Sequence, residues 1–347
     1  MKNCAEFVLS LTAILLAISL TILSTDGLAQ TQMVLVTTGS TMPQPLYVLW
    51  GDEYHKLHPE TQLRYLAVGT SESAKNVLSG AGDLGGGDAP IPEKQLKEVA
   101  YAAVELPTVL VAIAVVYNVP GRATSIRLSG PVLANIYLGK TTSWSDPEIA
   151  KLNPDGKLPD LPIKVLHRTD GKGSNYIFSD FLSKLSPEFR AKVGKNVSPK
   201  WPVGAAFSRC QDMLADAAKT SGAIAYGELR CGEKSGLSTA RIRNAAGEFV
   251  RPSTKSFGDT ALAMESKIMD DFLVSLTNAP GKESYPIVSF TWFYVPVHTQ
   301  DLQRSHAVNE YLTWVYGSGQ EIAQAQGYAA LPPAVLQKVR AKVAALH

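Results

Sequence analysis

The stretch "PIKVLHRTDGKGSNYIFSDFL", Pro162 to Leu182, contains a strand, a turn and a helix in succession. "PIKVLHR" is a short apolar strand. The turn places Gly171 and Gly173 on either side of Lys172, and "NYIFSDFL" continues with apolar residues at helical spacing. A turn rich in charge and poor in side chains therefore opens a helix. About four backbone N–H groups there have no helical partner, and the helix dipole is positive. Two other junctions repeat the chemistry. "TTGSTMPQPL" puts Gly39, Ser40 and Thr41 between a strand and a helix, and "AVGTSESAKN" does the same with Gly69, Thr70 and Ser71. One such start is ordinarily only a cap. Three of them, with Arg168 and Lys172 beside the third, suit a small tetrahedral oxyanion held by converging helix ends.

Working outward, strands and helices alternate along the chain, which predicts an α/β fold. "QMVLVTTG", "TQLRYLAV" and "DLGGG" read as strands, and "PQPLYVLWGDEYHKLHP" and "SESAKNVLSG" as helices. "VELPTVLVAIAVVYNVPG" reads as one or two buried strands broken by Pro107, because Glu105, Pro107 and Asn118 argue against a membrane span. "SYPIVSFTWFYVPV" reads as a further pair of strand-like runs, and the tail as two helices divided by Leu-Pro-Pro. The long runs near Val109–Val116 and Ile287–Val297 are far apart in sequence. Each suits a hinge strand crossing between two discontinuous lobes, with a cleft between them. The expected organisation is residues 1–29 as a signal peptide, 30–112 with 288–347 as the first lobe, and 113–287 as the second.

The signal is read from Lys2, the apolar run Phe7–Leu23 and the small residues Gly27 and Ala29 before a cleavage point. The rival, an uncleaved anchor, is disfavoured by the shortness of the run. Cys4 is lost with the signal. Cys210 and Cys231 then remain in an exported chain, which suggests one disulfide, the alternative being two unrelated buried thiols. The 347 residues are 45% hydrophobic and 18% charged, with a formal net charge of +2. That composition can bury a sizeable core, and the charge is too mild for a nucleic-acid partner.

The segments "TTGSTMPQPLYVLWGDEY", "VGTSESAKNVLSGAGDLGGGDAP", "LANIYLGKTTSWSDPEIAKLNP", "HRTDGKGSN", "KWPVG", "GAIAYGE" and "GYAALPPAVLQKVRA" occur in one order along nearly the whole mature chain. They resemble successive segments of the periplasmic phosphate-binding proteins of bacterial ABC phosphate uptake systems. The resemblance implies a two-lobed type 2 periplasmic binding protein, each lobe a mixed sheet flanked by helices, joined by two hinge strands. It implies a periplasmic monomer that captures inorganic phosphate and delivers it to a membrane-embedded ABC permease, without cofactor or metal. It also implies the site. Thr41 and the backbone N–H of Met42 donate from the first helix start and Thr70 from the second. Asp88 is the phosphate-selecting carboxylate. Arg168 supplies a guanidinium steered by Asp170, and Gly173 and Ser174 donate from the third start. Lys172 departs from the family's serine, and Met42 from its usual aromatic. "AAFSRCQDMLADAAKTSG", which contains Cys210, replaces a glycine-rich segment.

The physical chemistry of these roles stands beside the resemblance. Arg168 offers a rigid fork matched to two phosphate oxygens. An ionised Asp88 only accepts, so it favours an anion that still carries a proton and repels sulfate. The rival reading is a secreted phosphatase-like enzyme, or a binder of a different oxyanion; a surface adhesion or signalling protein reusing the fold is a third. A phosphatase needs a metal cluster or an activated nucleophile. Of the six histidines, only "HKLH" at 55–58 approaches ligand spacing, and it reads as a solvated helix face. No catalytic residue is therefore expected.

Overall fold

The computed structural model describes residues 32–98, 103–121, 125–297 and 301–346. The expected signal peptide, its cleavage point and Cys4 lie outside the described residues. The fold is α/β around one mixed sheet. Its main strands are β1 (Met33–Gly39), β2 (Thr61–Ala67), β3 (Leu84–Gly87), β4 (Ala103–Tyr117), β5 (Lys164–Arg168), β6 (Ala205–Phe207), β7 (Ala223–Glu228) and β8 (Val288–Pro296). Their order in space is β2-β1-β3-β8-β4-β7-β5-β6, with Ser238–Thr239 as a ninth strand on β4. The helices that matter for the site are α1 (Gln44–Leu57), α2 (Thr70–Leu78), α3 (Gly173–Leu185), α4 (Cys210–Lys219) and α5 (Leu229–Lys234).

β4 joins the two halves. Its residues Ala103–Ala112 pair antiparallel with β8, and Ile113–Tyr117 pair antiparallel with β7. From Glu105 to Tyr117 every residue is buried, as expected of a strand covered on both faces. Pro107 does not break it. Trp292 pairs with Pro107 and Thr291 with Val109, so Thr108 is an extra residue opposite a register shift, and its hydroxyl donates to the Thr291 carbonyl at 3.1 Å. A bulge tolerates the missing proline N–H that a regular ladder would demand. "SYPIVSFTWFYVPV" likewise forms the single strand β8. In the tail the helix Leu302–Trp314 passes through a π-helical turn, Val315–Gly319, into Gln320–Ala325 before the proline break.

β1 pairs parallel with β2 and β3 on one side of the hinge, and β5 pairs parallel with β6 and β7 on the other. The carboxyl ends of these six strands lead into Ser40, Val68, Asp88, Thr169, Ser208 and Leu229. In parallel sheets ligands sit beyond such ends, where backbone donors and helix N-termini collect. The aromatic core beneath is dense, with Trp50, Tyr54, Tyr137, Trp144, Phe178 and Tyr226 all buried.

Candidate anion-binding site

The first half contributes a buried acid. Asp88 follows β3 and is 0% exposed. Its Oδ2 accepts from the Ser40 hydroxyl and, at 3.4 Å, from Thr70 Oγ1, which itself accepts from the Asp88 backbone N–H at 3.2 Å. Oδ1 is buried without a hydrogen-bond partner. Burial raises the Asp88 carboxyl to about 6, against the opposing pull of the Ser40, Thr291 and Thr70 hydroxyls and the Arg168 charge. Thr41 follows Ser40 and, with Arg168, lines a cavity of about 280 Å³. The Met42 backbone N–H, expected to face the anion, donates instead to Ser40 Oγ at 3.2 Å. Ser40 therefore bridges the acid and the first helix start.

The second half contributes the cation. Arg168, the last residue of β5, is 2% exposed. Its backbone N–H donates to Tyr226 Oη at 3.2 Å and its Nη2 to the Ser208 carbonyl at 2.8 Å, while Nε is buried with no partner. Ser174, in the first turn of α3, is buried, and its hydroxyl too has no partner. Asn175 beneath it holds the turn by donating to the carbonyls of Thr169 at 2.7 Å and Val197 at 3.0 Å, and it accepts from Tyr226 Oη.

The expected steering of Arg168 by Asp170 is corrected. Asp170 is exposed and makes no hydrogen bond or ion pair with Arg168 among the described residues. Gly171, at φ 74°, turns the chain immediately after it. The acids whose charges act on Arg168 are Glu228, at the end of β7, and Asp88; burial lowers the Arg168 pKa and these two oppose that. Glu228 lines the same cavity as Arg168, and burial raises it to about 8. Neither Glu228 nor the Ser208 carbonyl stood out in the sequence. The available signal was their position at the ends of strands parallel to β5.

Lys172 occupies the residue before α3. Its backbone N–H is used on the Val197 carbonyl at 3.2 Å. Its side chain crosses the cleft to the start of α2, where a Cβ placed on Gly69 would lie 3.3 Å from Nζ. Gly69 itself sits at φ 102°, a backbone region that favours glycine. Burial, then repulsion from Arg168, lowers the Lys172 pKa. The halves touch directly as well. Ser71 N–H donates to the Gly171 carbonyl at 3.4 Å, and a Cβ on Gly173 would lie 2.8 Å from Asp88 Cγ and closer still to its Cβ and Oδ2. Finally, α1, α2 and α3 each begin without a side-chain cap, so the hydroxyls at these starts are not spent on capping.

The profile of the PBP superfamily domain matches residues 24–318. The phosphate-binding protein PstS of Pasteurella multocida is 31% identical over 331 residues, which span 95% of this chain and 94% of that protein. The chain belongs to the PstS family of phosphate-binding proteins. A PstS protein of Methanocaldococcus jannaschii is 32% identical over 323 residues, 86% of this chain and 83% of its own length. Among solved structures, a high-affinity periplasmic phosphate-binding protein bound with phosphate superposes with a TM-score of 0.69 at 20% identity, over 89% of this chain and 93% of that one. A putative phosphate ABC transporter substrate-binding protein from Clostridium perfringens superposes with a TM-score of 0.62 at 15% identity, over 86% of this chain and 100% of its own. At these identities the structures establish the shared two-lobed fold. PstS membership fits the elements above, with three uncapped helix starts and one arginine facing one buried acid.

Proposed function

We propose that the protein captures inorganic phosphate, as a periplasmic monomer, in the cleft between two lobes, and delivers it to an ABC permease. One observation carries the choice of ligand. Of the buried polar atoms without a partner among the described residues, three belong to the candidate site: Arg168 Nε and Ser174 Oγ, which can donate, and Asp88 Oδ1, which accepts. Buried polar groups are rarely left unpaired, because each costs about 1–3 kcal/mol. Two donors and one acceptor are the complement of a tetrahedral oxyanion that still carries one proton. Thr41, Thr70, Lys172 and Gly173 would complete the shell from the three helix starts, and the Met42 N–H would join it by exchanging Ser40 Oγ for the anion. The boundaries proposed for the lobes are 30–112 with 288–347, and 113–287; the change of partner along β4 between Ala112 and Ile113 supports them. A hydrolytic role has less support. The Cys210, Glu228 and Cys231 side chains lie together, but both sulfurs are joined to each other and neither is free to hold a metal.

The test of the ligand is selectivity. Asp88→Asn replaces an acceptor-only oxygen by an N–H donor of similar shape, so the ratio of phosphate to sulfate affinity should fall by at least about tenfold, equal to 1.4 kcal/mol. Because Asp88 titrates near 6, the wild-type ratio should also fall as pH drops below that value and the carboxyl becomes a donor. The same shift has a stability sign. The folded carboxyl holds its proton up to about pH 6, whereas an unfolded one has already lost it, so ligand-free stability should decline as pH rises from about 4 to about 6. Calorimetry with both anions from pH 5 to 9 decides the point; an unchanged ratio in Asp88→Asn would reduce Asp88 to a turn residue.

Lys172 carries a separate expectation. Its ammonium reaches into the cleft mouth, so Lys172→Ser should flatten the dependence of phosphate affinity on ionic strength. Binding measured at two salt concentrations reads this directly, and an unaltered slope would place the ammonium outside the field of the anion.

A further inference from the structure

We infer that the Cys210–Cys231 disulfide is a positioning element for Arg168, so that anion affinity depends on this covalent strap and not only on the residues that touch the anion. The inference rests on the phosphate-binding reading given above.

β5, which ends at Arg168, lies between β7 and β6 in the sheet. Near that end it is held to β7 by a side chain, Tyr226 Oη accepting from the Arg168 N–H at 3.2 Å, and to β6 by a short ladder whose last bond runs from Thr169 N–H to the Phe207 carbonyl at 3.0 Å. The β5–β7 ladder covers only Lys164↔Ala223 and Val165↔Ile224, and stops short of Arg168. β6 is a three-residue edge strand with Ala205 and Ala206 exposed, and it pairs with β5 over Leu166↔Ala205, His167↔Ala206 and Arg168↔Phe207. Such a short, solvated edge frays readily. Yet the residue just beyond it, Ser208, supplies the carbonyl that accepts from Arg168 Nη2 at 2.8 Å. The residue that ends β7, Glu228, faces the same guanidinium across the cavity that both line.

The disulfide joins these two chain segments. Cys210 is two residues after Ser208, at the first position of α4. Cys231 is three residues after Glu228, in α5. The link therefore runs from the segment leaving one flanking strand to the segment leaving the other, past the end of β5. Both cysteines are buried, at 4% and 8% exposure, and Cys210 lines the cavity beside Arg168. A Glu228 carboxylate oxygen lies within 4.8 Å of both sulfurs, and the Cys210 sulfur packs on Gly227, where an added Cβ would meet it at 2.8 Å. The sulfurs thus lie beside the Glu228 carboxyl, whose charge acts on Arg168, and Cys210 follows by two residues the Ser208 carbonyl that accepts from the fork. A guanidinium restrained on one edge can keep Nε aimed at a ligand, whereas a loose one must be ordered at each binding event, at a cost in affinity.

The experiment measures phosphate affinity by calorimetry at a temperature well below unfolding, for the oxidised wild type, for Cys210→Ser with Cys231→Ser, and for Val339→Ala. Val339 is a buried residue of the C-terminal helix, and its truncation lowers stability without approaching the cleft. The disulfide-free protein should bind about tenfold more weakly, the size of one lost charge-assisted hydrogen bond, while Val339→Ala keeps the wild-type affinity. Wild-type affinity in the fully folded serine variant would overturn the inference and leave phosphate binding standing. Equal losses in both variants would also overturn it, since stability alone would then account for them. Absence of phosphate binding by the oxidised wild type would overturn the functional reading and this inference together. If the serine variant fails to fold, a glycine inserted between Arg209 and Cys210 decides the matter with the disulfide intact. Slackening that tether should reproduce the loss, and unchanged affinity would refute the strap.

Discussion

Arg168→Ala is expected to weaken phosphate binding by at least about thirtyfold, because removing one partner from a desolvated charge pair costs about 2–5 kcal/mol and 1.4 kcal/mol is tenfold. Three effects add. The unpartnered Nε disappears, so the anion loses a directed donor that no water can replace in a closed cleft. The positive charge opposing Asp88 disappears, so the carboxyl already raised to about 6 rises further and its proton-accepting role at neutral pH fades. The Ser208 carbonyl loses its donor. Calorimetry should therefore show a large loss of affinity, together with a phosphate-to-sulfate ratio that begins to fall at a higher pH than in the wild type. Arg168→Lys should recover only part of the affinity, because an ammonium restores charge without the fork. Unchanged affinity in Arg168→Ala would place the anion elsewhere.

Gly173→Ala should be comparably damaging for a different reason. Gly173 starts α3 in the second half of the molecule, and Asp88 closes β3 in the first. A methyl group on Gly173 would lie 2.8 Å from Asp88 Cγ and nearer still to its Cβ, atoms close to the backbone that cannot swing aside. The two halves would have to part by a fraction of an ångström to about one ångström. A misplacement of that size in a preorganised site can cost about a hundredfold. The strain exists only when the halves are together. Parting the halves relieves it, so ligand-free stability should fall little, while the rise in melting temperature on adding phosphate, which reports binding to the folded state, should largely vanish. A thermal-shift series with and without phosphate separates this outcome from simple destabilisation. A normal phosphate-induced shift would show that Asp88 and Gly173 do not meet in the bound state.

The sequence by itself determined the order of the elements and the chemistry of the junctions. β-branched runs covered on both faces, such as Val109–Val116, read as strands because continuous apolarity leaves no solvent face. Gly39, Gly69 and Gly173 were legible as markers of the junctions, but only at Gly69, at φ 102°, is the need for glycine a local property of the backbone; at Gly39 and Gly173 it comes from Tyr65 and Asp88 packed against them. Two cysteines left in an exported chain suggested one disulfide, and the structure joins them. Other features depended on pairings remote in sequence. Pro107 looked like a break until a bulge opposite Thr291 and Trp292 accommodated it. Asp170 looked like the partner of Arg168 because it is two residues away, but side chains so close in sequence diverge where a strand ends in a tight turn. The carbonyl that holds the arginine comes from 40 residues further along, and the acid facing it ends β7. No local pattern encodes those neighbours. They meet because parallel pairing brings the carboxyl ends of β6 and β7 beside that of β5, and because burial there makes each unpaired donor and acceptor costly enough to demand a partner.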